Sequence, residues 1–219
     1  MRKLVLTALA AASATAVATP ALAQSASGPF DGFRIGALAG WDGLRPGKGP
    51  DSSISDGNGA DGFLYGAEVG YDHQMGNLVL GVDGEVSGST AKVTNDPVAA
   101  DALGYGRVKA GRDLYIGGRV GYTVTPTTML YAKAGYSNAR LDLTASDGTT
   151  ETGNHYNLDG YRLGVGVEQA ISPTTYAKLE YRYSNYGDAR LEFPNGTNTS
   201  NFDVDTDRHQ VVAGVGFRF

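Results

Sequence analysis

Apolar side chains recur at every second position through most of this chain, in blocks of about ten residues, and no apolar run approaches the ~20 residues of a membrane-spanning helix. The first block sets Phe33, Ile35, Ala37, Ala39 and Trp41 against Arg34, Gly36 and Gly40. The same division recurs with Phe63 to Tyr71 against Glu68 and Asp72, and Leu78 to Val86 against Asp83 and Glu85. It continues with Leu114 to Tyr122 against Asp113 and Arg119, then Leu130 to Tyr136 against Tyr131 and Lys133. Tyr161 to Val167 oppose Arg162 and Glu168, Ala177 to Tyr183 oppose Lys178, Glu180 and Arg182, and Val211 to Phe219 oppose Gln210 and Arg218. Period-two patterning of this kind makes strands with two differently solvated faces. Two architectures share it, a soluble sandwich with the apolar face inside and a membrane barrel with the apolar face outside.

Three features select the barrel. Charge is confined to one face of each block, as it must be where an Arg or Lys on a lipid face costs ~2 to 4 kcal/mol at midplane. Aromatic residues stand at strand ends (Trp41, Tyr71, Tyr122, Tyr136, Tyr183, Phe219), where a barrel places its interfacial girdles. Connector lengths alternate: short turns at 74–77, 125–128 and 172–174 separate long polar segments near 42–61, 88–108, 141–157 and 185–207. The expected fold is therefore all-β, an eight-stranded antiparallel up-and-down transmembrane β-barrel with four long extracellular loops and both termini periplasmic. Its lumen is expected to hold a charge network of Glu68, Arg119, Lys133, Arg162, Glu168, Lys178, Glu180 and Arg182.

Arg2 and Lys3, the Ala-rich apolar stretch from Leu4 to Val17 and the Ala21-Leu22-Ala23 pattern form a secretory leader. Residues 1–23 are expected to be removed and 24–219 to form the barrel. With no cysteine, disulfides, thiolate metal sites and cysteine nucleophiles are excluded. A net charge of −5, more negative once Arg2 and Lys3 are gone, gives no electrostatic ground for nucleic acid as a partner.

The chain resembles the small outer-membrane barrels of alphaproteobacteria, the opacity-type and porin-like surface antigens related to the OmpA transmembrane domain. The residues that carry the resemblance are Phe33-Arg34-Ile35-Gly36, Leu179-Glu180-Tyr181-Arg182-Tyr183-Ser184 followed by Tyr186-Gly187, and the ending Val211 to Phe219. The resemblance implies location in the bacterial outer membrane, with lipid and lipopolysaccharide as surroundings. It also implies recognition by the outer-membrane assembly machinery through Phe217 and Phe219. Cell-wall anchoring is not expected to carry over, because the resemblance extends to the barrel alone.

Function is less constrained, because one barrel size hosts unrelated activities. A structural envelope role with exposed loops is the leading expectation. A small-solute or ion channel is the alternative if glycines 164, 166, 214 and 216 leave water-filled space beside the arginines. The polar loops offer a third reading, an adhesin that meets a surface receptor or a phage. No catalytic or cofactor constellation is expected. Arg182-Tyr183-Ser184-Asn185 superficially resembles the His-x-Ser-Asn stretch of the lipid A deacylase, but arginine cannot serve as the base. No metal site is expected either. Asp203-x-Asp205-x-Asp207 departs from a calcium loop at Arg208 and Gly214, and His73, His155 and His209 are placed in or near turns and loops.

Overall fold

The structure is a computed structural model and describes residues 28–46, 60–94, 106–146, 151–192 and 202–219. The strands are β1 (Gly32–Pro46), β2 (Ala60–Met75), β3 (Leu78–Ser89), β4 (Lys92–Thr94), β5 (Gly106–Thr125), β6 (Thr128–Ser146), β7 (Glu151–Ala170), β8 (Thr175–Glu192) and β9 (Phe202–Arg218). β4 prolongs β3 beyond Thr90 and Ala91 and keeps to the same neighbour, β5. Eight staves therefore form the wall. Every pairing is antiparallel, β1 joins β9, and β3 joins β5 to close the sheet on itself. Closure removes the unpaired edges that no strand could leave in lipid.

The short connections match the sequence. Gly76 and Asn77 turn β2 into β3; φ is +63° at Gly76 and not positive at Asn77, as a type II′ hairpin requires. The long ones are shorter than expected. β6 and β7 remain paired from Tyr136↔Tyr161 out to Ser146↔Glu151, so most of the segment assigned to a loop near 141–157, His155 included, is strand. Strand also replaces predicted loop at 106–108, 185–192 and 202–207. The physical reason is that these strands continue beyond the apolar band, where neither face requires a hydrophobic pattern.

The outward face carries the apolar set: Ile35, Val69, Val82, Ile116, Leu163, Val165, Leu179 and Val215 are all exposed. The inward face is polar in its middle and apolar in patches. Leu38, Leu64 and Val212 pack together within the wall, and Ala139, Leu158 and Tyr186 pack nearer the loop end. Phe30, Val79, Met129 and Tyr131 pack at the end that holds the short turns and the C-terminal Phe219.

Phe30 reaches that position because the residues before β1 hook across the mouth. Its amide donates to Gln74 Oε1 at 3.0 Å and its carbonyl accepts from Arg218 Nη1 at 2.5 Å. Asp31 Oδ1 accepts from the Gln74 amide at 2.8 Å and lies 3.1 Å from His73 Nδ1. Gly32 (φ +114°) makes the entry into β1; a Cβ there would lie 2.1 Å from the Phe219 carbonyl oxygen.

Candidate functional site

Alternation places one inward side chain per two residues on eight staves, and the lumen fills with them. Among the described residues, eight buried cations (Arg34, Arg119, Lys133, Arg162, Lys178, Arg182, Arg208, Arg218) meet eight buried anions (Asp42, Glu68, Asp72, Asp83, Glu85, Asp113, Glu168, Glu180). Among the described residues these buried charges sum to zero. Neutrality follows from physics: an unpaired charge in this low-dielectric interior would carry a desolvation penalty of several kcal/mol.

The pairs connect into one network along the barrel axis. At the terminal end, Arg218 joins Glu168 (2.6 Å) and Asp72 (2.9 Å), and Arg119 joins the same two carboxylates, with Glu168 at 2.8 Å. Asp72 also takes Arg34 Nε at 3.1 Å, and Arg34 reaches Glu68 at 3.3 Å and Asp83. Glu68 pairs with Lys178, which stands 3.5 Å from Glu180. At the centre, Lys133 bridges Glu180 (2.7 Å) and Glu85 (2.5 Å), and Arg182 does the same, with Glu85 at 3.0 Å. Toward the loops, Asp113 binds Arg162 at 2.5 Å and Arg208 at 2.7 Å, and Arg208 grips Asp42 with two bonds of 2.7 Å. Such bidentate pairing orients as well as attracts.

Tyrosines complete the plug. Tyr131 Oη donates to Glu180 at 2.6 Å and Tyr176 Oη to Glu68 at 2.9 Å, while the Tyr115 ring faces Lys133 Nζ at 4.7 Å. The four glycines expected to leave open space do not. A Cβ on Gly166 would lie 2.7 Å from the Tyr131 ring, on Gly216 2.5 Å from Tyr176 Oη, and on Gly164 and Gly214 3.0 Å from the stems of Lys133 and Lys178. These glycines are recesses that receive long side chains from neighbouring strands.

All eight residues named from the sequence, Glu68, Arg119, Lys133, Arg162, Glu168, Lys178, Glu180 and Arg182, are buried in this lumen. Eight further members were not singled out. Arg34, Asp72, Asp83, Glu85, Asp113 and Arg218 sit on the polar phase of their strands, a signal already present in the alternation. Asp42 and Arg208 fall at the ends of strands, in or beside segments assigned to connections, so their pairing across β1 and β9 was not legible there.

The outward face holds a second polar arrangement near the loop end. Asp159 Oδ1 accepts from Tyr136 Oη and from Asn138 Nδ2 (2.7 Å); Asp207 Oδ1 accepts from Tyr183 Oη (2.6 Å) and Asn185 Nδ2 (3.1 Å). The donors are two copies of one tripeptide, Tyr136-Ser137-Asn138 on β6 and Tyr183-Ser184-Asn185 on β8, each clamping an Asp of the next strand. The serines point inward: Ser137 donates to Asp113 at 2.9 Å and Ser184 accepts from Arg162 Nε at 2.9 Å. His209 Nδ1 lies 2.7 Å from Tyr181 Oη. The side chains of Asp203, Asp205 and His155 lie outside the described residues. Phe217 and Phe219 project outward from the end of β9.

Comparison with known proteins agrees with this geometry. A family model described as outer membrane protein beta-barrel domain matches residues 7–219. A 22 kDa outer membrane protein of Rhizobium leguminosarum is 29% identical over 182 residues, covering 82% of this chain and 78% of the relative. A 25 kDa outer-membrane immunogenic protein of Brucella melitensis is 29% identical over 159 residues, covering 73% of this chain and 67% of the relative. Among solved structures, Neisserial surface protein A superimposes with a TM-score of 0.55 at 18% identity, over 86% of this chain and 98% of that one. The chain belongs to the outer membrane protein β-barrel domain family.

Proposed function

We propose that this outer-membrane protein is a structural barrel whose lumen is closed and whose loops face the outside of the cell. The leader 1–23 is removed, both termini lie in the periplasm, and Phe217 and Phe219 are read by the assembly machinery. The observation that carries the closed reading is the continuous ion-pair network, which crosses the lumen from Arg218 to Asp42. Eight strands enclose an interior that side chains fill, whereas open diffusion belongs to much larger barrels. Every one of the network's charges but Asp83 meets at least two described partners, so thermal loss of one contact leaves the others in place. Surface display is supported by the similarity to relatives named immunogenic. Lipopolysaccharide around the wall, and a receptor or phage at the loops, are the corresponding partners.

The test is bilayer recording on the folded protein with insertion verified by its gel mobility before and after boiling. Silent bilayers, together with detergent sensitivity of cells that lack the protein, support the structural role. Reproducible open levels altered by substitutions at Arg119 or Arg162 overturn it.

One observation favours a narrow conduit as the second reading. Among the described residues Glu85 Oε2, Tyr115 Oη, Arg162 Nη1 and Arg182 Nη1 are buried without a hydrogen-bond partner, Arg162 Nη1 and Glu85 Oε2 standing 3.7 Å apart, and Glu85 lies opposite Tyr115 in the β3–β5 register. Water is the usual partner of such groups, and a hydrated midsection is what a conduit needs.

A further inference from the structure

Neighbouring staves of this barrel follow one another in the chain, with one exception. At the seam, β1 and β9 come from opposite ends of the sequence and meet through pairing alone, from Arg34↔Arg218 to Pro46↔Thr206. One end of the seam lies beside both strand termini, where a chain frays most easily. There Phe33 and Phe219 exchange two backbone hydrogen bonds, of 3.1 and 2.8 Å. A seam opened from this point would leave unpaired N–H and C=O groups of both strands at the membrane boundary.

The hook before β1 sits on this point and ties it to strands elsewhere in the wall. The Phe30 ring is fully buried with Val79 of β3 and with Met129 and Tyr131 of β6. The Phe30 carbonyl accepts from Arg218, the last residue of β9, whose guanidinium lies 5.9 Å from the ring centroid and also pairs with Asp72 of β2 and Glu168 of β7. The Phe30 amide and the Asp31 carboxylate are held in turn by Gln74, at the end of β2. These partners come from β2, β3, β6 and β9, so they surround Phe30 only once the sheet has closed on itself. We propose that residues 29–31 are a latch that docks after closure and holds the β1–β9 seam shut.

A latch and an ordinary core contact leave different signatures. The cluster around Phe30 also abuts two other joints at the same end of the barrel, β3–β5, where the Thr123 amide donates to the Asn77 carbonyl at 2.9 Å, and β6–β7, where the Ala170 amide donates to the Thr127 carbonyl at 2.8 Å. Lost packing alone loosens these joints and the seam alike. Loss of a latch loosens the seam ahead of them, because the hydrogen bonds of Phe30 go to the ends of β2 and β9, the two strands that flank β1. The inference holds whether the lumen is closed or conducts.

The test is amide hydrogen exchange on the folded protein in lipid nanodiscs, read residue by residue by NMR. Phe30→Ala is expected to speed exchange at Phe33 and Phe219 by about tenfold or more, the equivalent of one hydrogen bond to a charged group, while Thr123 and Ala170 change by less than about threefold. Gln74→Ala removes the acceptor of the Phe30 amide and leaves the buried ring in place. It is expected to give the same pattern at about fivefold, and it carries the test if Phe30→Ala does not fold. Exchange that rises equally at all four amides, or that stays unchanged at Phe33 and Phe219 in a folded variant, overturns the proposal.

Discussion

Asp113→Asn isolates the value of one charge in the lumen. Asp113 is buried and accepts from Arg162 (2.5 Å), Arg208 (2.7 Å) and Ser137 (2.9 Å). Asparagine keeps the shape and removes the charge. Arg208 retains both of its bonds to Asp42, so the uncompensated cation is Arg162, whose remaining carboxylate, Glu85, lies 3.7 Å away. Removing one partner of a buried pair costs about 3 to 5 kcal/mol because the other charge stays desolvated and unpaired. Two such losses, about 6 to 10 kcal/mol, would consume most of the 5–15 kcal/mol typical of a folded domain. The expected result is a fall of about 3 to 5 kcal/mol in unfolding free energy, measured by urea titration of the protein in lipid vesicles and followed by tryptophan fluorescence. The double variant Asp113→Asn, Arg162→Met removes the stranded charge and is expected to recover most of that loss. A single-variant loss below about 1 kcal/mol, or a double variant no better than the single one, would refute the claim that pairing makes these charges tolerable.

The recess role of the luminal glycines predicts that Gly216→Val destabilises by at least about 1 to 3 kcal/mol through collision with Tyr176, whereas Gly118→Ala, whose Cβ finds its nearest atom at 3.7 Å, is neutral or mildly stabilising; thermal denaturation of the two variants side by side checks this. On the lipid face, Val165→Arg is expected to cost about 2 to 4 kcal/mol in vesicle unfolding titrations, and a cost near zero would place that face outside the bilayer core. Phe30→Ala empties a fully buried position at the terminal mouth and is expected to cost about 3 kcal/mol in the same titration. If its stability instead matched that of the unaltered protein, the hook before β1 would not be part of the folded barrel's core.

Period two, read with the charge on each phase, was enough to specify strand number, which face meets lipid, and half of the luminal charges, because a strand alternates its side chains whatever surrounds it. The same rule explains what was missed. Past the apolar band, at Asp142↔His155 for example, the outward positions no longer have to be apolar and the signal that marked the strands is lost although the pairing continues. Glycines 164, 166, 214 and 216 looked like empty space in the sequence, since a missing side chain says nothing of the neighbour that fills its place; Tyr131, Tyr176 and the lysine stems do so only once the register is known. Partnership within the plug likewise belonged to the tertiary structure. Asp42 and Arg208 stand 166 residues apart and meet only because β1 and β9 close the barrel. Local sequence determines which way each side chain points; which side chains then share a few ångströms depends on closure and register, and these arise from pairing between strands far apart in the chain.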